Sequence, residues 1–329
     1  MSELNARSMI SDDSKDGCQR LTDGFIISNK GDVKWEDVVG LDELKQVLKE
    51  RVVLPLKFPQ LFKGGRSCNM GILMYGHPGC GKTYVTSAMF SNLPEVTYFK
   101  FSVYDLVSRW VKHGDRLLGH IFKMALEKRP SVISIDDVEV LCLTDDVEGT
   151  EREKSKEELI KILMGRVDGV QVILNTSRPW LLDRFLRRHI DYRAHITMPT
   201  EAERVQIIQN QLTSVQNTLS VDDIKVLGSK TERFTPSDLV VLVRDATFEP
   251  LRQIMASTHF KKTGESDKYT PCHGDDPDAM EINFKDIPET ELLTPSVTMA
   301  DFVTALEKCK PTIEEQDVKQ MTEFEQRYL

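Results

Sequence analysis

Cysteine is sparse and badly spaced for chemistry. Cys18, Cys68, Cys80, Cys142, Cys272 and Cys309 include no C-x-x-C pair, so neither a zinc site nor a disulfide framework is expected, and a reducing cytosol suits the chain. Long apolar runs are missing too. None approaches the roughly 20 residues needed to cross a bilayer, and the polar start (Ser11-Asp-Asp-Ser-Lys-Asp-Gly17) lacks the apolar centre of a signal peptide. Any membrane contact is therefore expected to be peripheral. Positive charge is in deficit, with 43 Lys and Arg against 52 Asp and Glu and a net charge of −9. That excludes a general electrostatic grip on nucleic acid. There are no internal repeats and no EF-hand pattern, so the seven acidic residues between Asp145 and Glu158 read as a solvated loop and helix start. His189 and His195 lack metal-ligand spacing with a third partner. The remainder is ordinary globular composition, 40% hydrophobic over 329 residues, enough for two domains.

The most informative stretch runs from Gly71 to Val85. An apolar strand, Gly71–Tyr75, leads into Gly76-His77-Pro78-Gly79-Cys80-Gly81-Lys82-Thr83, which matches G-x-x-x-x-G-K-[ST]. A helical pattern follows from Lys82 to Leu93. Strand, glycine-rich loop and helix in that order are what a phosphate-binding loop requires. Backbone N–H groups curl around phosphate oxygens, and the helix N-terminus adds partial positive charge. Lys82 is placed to reach the β- and γ-phosphates and Thr83 to ligate Mg²⁺, with ATP the expected nucleotide. Cys80, inside the loop, has no paired base and is not a nucleophile.

On either side the chain divides. Residues 1–32 are rich in Ser, Asp, Asn and Gly and read as a disordered arm. Leu41–Val53 reads as an amphipathic helix stopped by Leu54-Pro-Leu-Lys-Phe-Pro59. After the loop, strands (Val96–Phe101, Val132–Asp136, Val170–Asn175, Arg193–Thr197) alternate with helices as far as Pro199. Alternation of this kind predicts an α/β domain, residues 33–199, with a parallel sheet and helices on both faces. From 200 to 329 the pattern is helical and predicts a smaller domain. It carries a loop-rich β insertion at about 262–292 and a C-terminal helix at about 313–328.

Ser131-Val-Ile-Ser-Ile-Asp136-Asp137 is an apolar strand ending in two carboxylates. In a phosphate-loop enzyme the first supports the magnesium shell and the second polarises the attacking water. Asp136 must approach the ion held by Thr83, so the two strand ends are expected side by side. Read alone, the pair is equally an acidic helix cap.

At these residues the chain resembles the AAA ATPases, and within them the vacuolar protein sorting branch that disassembles ESCRT-III filaments. The resemblance runs from Val33 to the C-terminus. Val33-Lys-Trp-Glu-Asp-Val-Val-Gly-Leu41 is similar to the family's N-terminal motif, which implies that the backbone around Val39 and Gly40 lines the adenine pocket, and Tyr84 is counted with the nucleotide-binding residues. Thr270-Pro-Cys272, Met280-Glu-Ile-Asn-Phe284 and Lys310-Pro-Thr-Ile313 resemble the β insertion and final helix of the sorting branch. Leu56-Lys-Phe-Pro-Gln-Leu-Phe-Lys-Gly64 and Asp105-Leu-Val-Ser-Arg-Trp110 are shared with microtubule-severing relatives. The resemblance implies a ring, usually a homo-hexamer and open to mixing with paralogues, with nucleotide at each subunit interface. It implies that Arg188 is an arginine finger acting on the neighbour, and that Trp110 and Val111 grip substrate in the pore. Charged neighbours (Arg109, Lys112, His113) favour the pore over a buried position for Trp110. ESCRT-III-type filament proteins are the implied partners, reached from the cytoplasm at endosomal membranes.

The departures from the family pattern cluster at hydrolysis. Asp137 stands where a glutamate is usual, which withdraws the carboxylate by about 1.5 Å, one C–C bond. A misplacement of about 1 Å can cost roughly 10²-fold in rate. Ser177 stands at the water-orienting asparagine, with Asn175 two residues early, and His189 replaces a second finger. Residues 1–32 are too few and too polar to form the three-helix domain with which relatives dock on ESCRT-III tails. The leading expectation is an ATP-driven translocase that disassembles ESCRT-III-type filaments, with attenuated hydrolysis. Two other readings stay open: a weakly active or inactive subunit that regulates a ring of active paralogues, and a microtubule-severing ATPase.

Overall fold

A computed structural model describes residues 24–27, 33–62, 71–107, 110–143, 149–165, 168–190, 192–263 and 268–328, with backbone only at 107, 110–116 and 149–151. The chain forms two compact units, one of residues Met1–Thr197 with Glu315–Leu329, the other Met198–Glu314.

The first unit is built on five parallel strands: β1 (Gly71–Tyr75), β2 (Thr97–Ser102), β3 (Ser131–Asp136), β4 (Val170–Thr176) and β5 (Tyr192–His195). Their order is β2-β3-β4-β1-β5, with helices in the crossovers. The apolar runs become strands because a parallel sheet covered by helices buries both faces, and every residue of β1 and β4 is buried. The order corrects one expectation. β1 and β3 are not side by side; β4 lies between them, paired through Leu73–Leu174 and Tyr75–Thr176 on one side and Ile135–Leu174 on the other. The two site residues still meet because Thr83 lies eight residues beyond β1, in the first turn of the helix Lys82–Ser91, and not at a strand end.

Two further boundaries differ from expectation. Within the segment read as a disordered arm, Ile26 pairs antiparallel with Phe99. Ile27 N–H donates to Tyr98 O at 2.9 Å and Lys100 N–H to Phe25 O at 2.9 Å. β2 is a sheet edge whose unpaired backbone groups offer this bonding, and the Phe25 ring packs 5.3 Å from that of Phe101. The helix expected to stop at Leu54 begins at Asp42 and runs through a π turn, Lys49–Val53, into Leu54–Lys57. The wider turn accommodates Pro55, which supplies no N–H to the helix.

The second unit is a helical cluster, Glu201–Leu212, Val221–Lys230, Pro236–Ala256 and Met299–Lys308, around Ile208, Leu227, Leu239, Leu242 and Phe302. Thr200, Ser220 and Thr235 each cap a helix, with Glu203, Asp223 and Asp238 answering three residues on, so both ends of the capping box are satisfied. The insertion forms a three-stranded antiparallel sheet of β6 (His259–Thr263), β7 (Lys268–Pro271) and β8 (Met280–Glu281). The C-terminal helix, Glu315–Tyr328, belongs with the first unit and not with the helical domain to which its position in the chain assigned it. Met321 and Phe324 are buried in a cluster with Tyr75 and the partly buried Trp180, and that apolar pair decides where the helix docks.

Candidate functional site

The phosphate loop leaves β1 through Gly76. A Cβ there would lie 2.4 Å from the carbonyl oxygen of Ile196, whose N–H donates to Tyr75 O at 2.8 Å. Only glycine allows the loop to turn away this close to the chain that continues from β5. Gly81, with φ of +98°, caps the helix Lys82–Ser91 in a conformation that L side chains rarely adopt. The loop's helix presents free N–H groups at its start, the feature that binds anions.

Lys82 is folded into the loop, donating from Nζ to Gly76 O at 2.8 Å and His77 O at 2.9 Å. Burial pushes its pKa below the ordinary lysine value, partly offset by Cys80 and the carboxylates of Glu139, Asp137 and Asp136. His77 is buried, and its pKa is lowered first by that burial and then by the nearby His195. Pro78 and Gly79 are exposed, while Cys80 is buried and in no disulfide.

Thr83 Oγ1 donates to Asp136 Oδ2 at 3.3 Å. The other carboxylate oxygen of Asp136 accepts from Asn175 Nδ2 at 2.6 Å. Asn175 is buried in β4 with its amide turned to Asp136. Ser177, two residues on, is half-buried just past the end of β4. Asp137 takes φ of 57° and ψ of 42°, a left-handed conformation that costs a non-glycine residue energy. Its Oδ2 accepts from Ser102 Oγ at 2.7 Å, so the end of β2 aims this carboxylate. Ser102 was not legible as a site residue, but Ser134 and Asn175 left a signal, each a polar residue inside an apolar strand run.

The segment ending in Val39 and Gly40 is tied to the loop's helix by Ser91 Oγ, which donates to Val33 O. Lys45 Nζ holds its chain by donating to Val38 O at 2.6 Å. Tyr84 is 43% exposed, and its pKa is raised by partial burial and by Asp37, which sets the phenol near this segment. A cleft lined by Trp35, Met89, Asn92 and Leu93 sits at the far end of the ten-residue helix, about 15 Å from the loop, and is not the phosphate site.

The finger segment forms a short helix, Arg184–Arg188. Asp183 caps it by accepting from Leu186 N–H at 2.6 Å and pairs with Lys156 at 2.8 Å. Burial opposes ionisation of Asp183, but the Leu186 N–H and the Lys156 ammonium outweigh it and hold the carboxyl below its ordinary range. Arg188 is exposed. Arg187 is committed elsewhere, its guanidinium 4.0 Å from the Tyr328 ring centroid. His189 Nδ1 bonds Phe185 O at 2.9 Å within its own helix. Trp110 and Val111 open the helix Trp110–Glu127, and their side chains lie outside the described residues.

The C-terminal helix closes over the start of the loop. The Tyr75 and His195 rings stack at 4.9 Å and 4°, His195 Nδ1 meets Glu325 Oε1 at 2.5 Å, and Tyr75 OH lies 3.4 Å from the same oxygen. Burial and Glu325 raise the Tyr75 pKa, while burial depresses that of His195 against the pull of Glu325. Neither group's role was visible in the sequence.

A parallel sheet whose first strand turns through this loop into a helix, beside a carboxylate from a second strand, defines a phosphate-loop nucleotide-binding protein. Residues 72–199 match the family model "ATPase family associated with various cellular activities (AAA)", and residues 269–328 match "Vps4 C terminal oligomerisation domain". Mouse vacuolar protein sorting-associated protein 4B is 37% identical over 95% of this chain and 74% of its own length. The Dictyostelium discoideum vacuolar protein sorting-associated protein 4 is 38% identical over 91% and 70%. Spastin of the same organism is 30% identical but is covered over only 43% of its length. Among solved structures, the FIGL-1 AAA domain superposes with a TM-score of 0.77 at 26% identity over 95% of each chain. A katanin structure gives 0.71 at 27% over 93% and 96%. The chain belongs to the AAA ATPases, in the branch of the vacuolar protein sorting-associated protein 4 family. It is thus a nucleotide-binding ATP hydrolase that self-associates. Among the described residues no helix is long and apolar enough to cross a membrane.

Proposed function

We propose that this chain is a subunit of a hexameric ring that hydrolyses ATP at its subunit interfaces. The ring uses the cycle to draw ESCRT-III-type filament subunits through its pore, in endosomal sorting and at membranes it touches only peripherally. The observation that carries the reading is the 3.3 Å approach of Thr83 Oγ1 to Asp136 Oδ2, made across an intervening strand, beside a lysine folded into its own phosphate loop. Lys82 exchanges the carbonyls of Gly76 and His77 for phosphate oxygens when nucleotide enters. Thr83 and Asp136 offer only hard oxygen donors, which fits Mg²⁺; they would hold it, and it supplies charge neutralisation on the phosphates. Asp137 polarises the attacking water from the direction set by Ser102. Arg188, exposed at the end of its helix, reaches the neighbour's γ-phosphate. Val39, Gly40 and Tyr84 border the base, and Trp110 with Val111 grips the substrate.

A second reading, a slow or inactive subunit that modulates a ring of paralogues, is favoured by one group of observations. The Asp137 carboxylate is short and already hydrogen-bonded, Ser177 stands in for an amide, and His189 is occupied within its own helix.

Steady-state ATPase of wild type, Lys82→Ala and Asp137→Glu, alone and with ESCRT-III tail peptides, separates the two. Wild-type turnover above the Lys82→Ala background and stimulated by the tails supports the first. Turnover equal to that background under both conditions sinks it for the isolated chain. Mixing Lys82→Ala with Arg188→Ala subunits restores activity only if Arg188 acts on a neighbour. Stimulation by tubulin tails in place of ESCRT-III tails identifies a severing enzyme.

A further inference from the structure

Asn175 occupies a costly position. It lies in β4, at the centre of the sheet order and between the strands that carry the loop and Asp136, and only 2% of it is exposed. Its NH₂ donates to Asp136 Oδ1 at 2.6 Å and to Ser134 Oγ at 3.2 Å. Its amide oxygen is buried without a hydrogen-bonding protein partner. An apolar residue would spare the strand that orphaned acceptor. The amide orientation is also determined, since a flipped side chain would set its oxygen against the Asp136 carboxylate. A short bond from a neutral donor to a carboxylate is among the stronger hydrogen bonds in a protein. With Thr83 on the other oxygen, both ends of the carboxylate are held, one from each neighbouring element.

We propose that Asn175 is a positioning residue for the magnesium carboxylate. From inside β4 it locks the rotation of Asp136, and so it sets how tightly the nucleotide site of this chain takes Mg²⁺. The inference rests on the reading of Thr83 and Asp136 given above. It goes beyond that reading in assigning the tuning of the metal site to a buried amide that acts through Asp136. Partners behind a metal ligand act by orienting it, and losing one typically costs on the order of 10–100-fold in metal affinity. Ser134 accepts the second N–H at 3.2 Å, a longer bond than the 2.6 Å one to Asp136.

The test measures binding of a fluorescent ADP analogue to the full chain while Mg²⁺ is titrated from an excess of EDTA. Wild type binds in EDTA through the phosphate loop and tightens as Mg²⁺ is added. Asn175→Ala and Asn175→Leu, the latter with the same side-chain branching, are expected to bind as wild type does in EDTA. Their half-saturating Mg²⁺ should rise by about tenfold or more. Ser134→Ala keeps the Asp136 bond and should stay within about twofold of wild type, an outcome that general loosening of the sheet would not give. Thermal unfolding of each variant monitors folding, and the Leu variant carries the test if the Ala variant fails to fold. Unchanged Mg²⁺ dependence in the Asn175 variants, with EDTA binding retained, overturns this inference and leaves the proposed function standing. Absence of nucleotide binding by wild type in both conditions overturns the proposed function instead.

Discussion

Gly76→Ala is the sharpest test of how the site is built. The added Cβ would sit 2.4 Å from Ile196 O, and real contacts of this kind do not fall below 3.0 Å. The obstacle is backbone, so no side chain can swing aside. Relief requires the loop entrance to draw back from the chain after β5, against the Ile196 N–H bond to Tyr75 O at 2.8 Å. The same movement displaces the Gly76 carbonyl that holds Lys82 Nζ. Overpacking of a rigid site costs about 1–3 kcal/mol, a large share of the roughly 5–15 kcal/mol that stabilises a domain. A displacement approaching 1 Å at a site of this kind can cost about 10²-fold in function. Urea unfolding with and without ADP measures both effects: a lower midpoint in the apo protein and a smaller ADP-induced increase. Gly119→Ala is the internal control. It lies in the helix Trp110–Glu127, and its Cβ would meet only the tip of the Glu158 side chain at 3.2 Å. It should stabilise by about 0.5–1 kcal/mol, the ordinary helix preference for alanine. A wild-type midpoint and wild-type ADP response in Gly76→Ala would show that the loop entrance has room for a side chain.

Arg187 and Arg188 should separate cleanly. Arg187→Ala removes the guanidinium over Tyr328 and should speed hydrogen exchange across Glu315–Tyr328. Arg188→Ala should leave that exchange unchanged while cutting turnover by about 10³-fold or more, as loss of an arginine finger does. The pH dependence of stability follows from His77 and His195, both held below the ordinary histidine value, chiefly by burial. Folding disfavours their charged forms, so below about pH 6.5 the unfolded chain binds more protons. The stability they contribute is complete above that pH and is lost as pH falls toward their folded values. Urea midpoints between pH 7.5 and 5 should therefore drop, and the slope should flatten in the His77→Gln, His195→Gln double variant. An unchanged slope there would remove both histidines from the account.

Much of the fold was legible because two strong local signals agreed. Apolar runs of strand length alternated with amphipathic segments, and the glycine-rich loop fell between a strand and a helix, where phosphate chemistry needs it. The helix Pro236–Ala256 follows from its Thr235 cap, the proline at its first position and its apolar spacing. Less was legible wherever a contact joined distant parts of the chain. The pairing of Phe25 to Ile27 with β2 could not be read from a polar arm, and the π turn that carries a helix through Pro55 overrode the usual stop signal. Likewise, nothing within the segment around Ser102 marks it as the partner of Asp137, 35 residues away.

The chemistry on offer is written along the chain: a loop of glycines and a lysine, a threonine to follow, and two carboxylates at the end of an apolar strand. Those are local facts, since backbone conformation and residue type within about ten positions suffice to make a phosphate cradle. How the carboxylates are held depends on contacts between distant strands. β4 runs between the strands that carry loop and carboxylate, which brings Asn175 beneath Asp136, and β2 brings Ser102 to Asp137. The C-terminal helix folds back to seal Tyr75 and His195. Strand order is set by burial summed over the whole sheet, and no short stretch of residues encodes it.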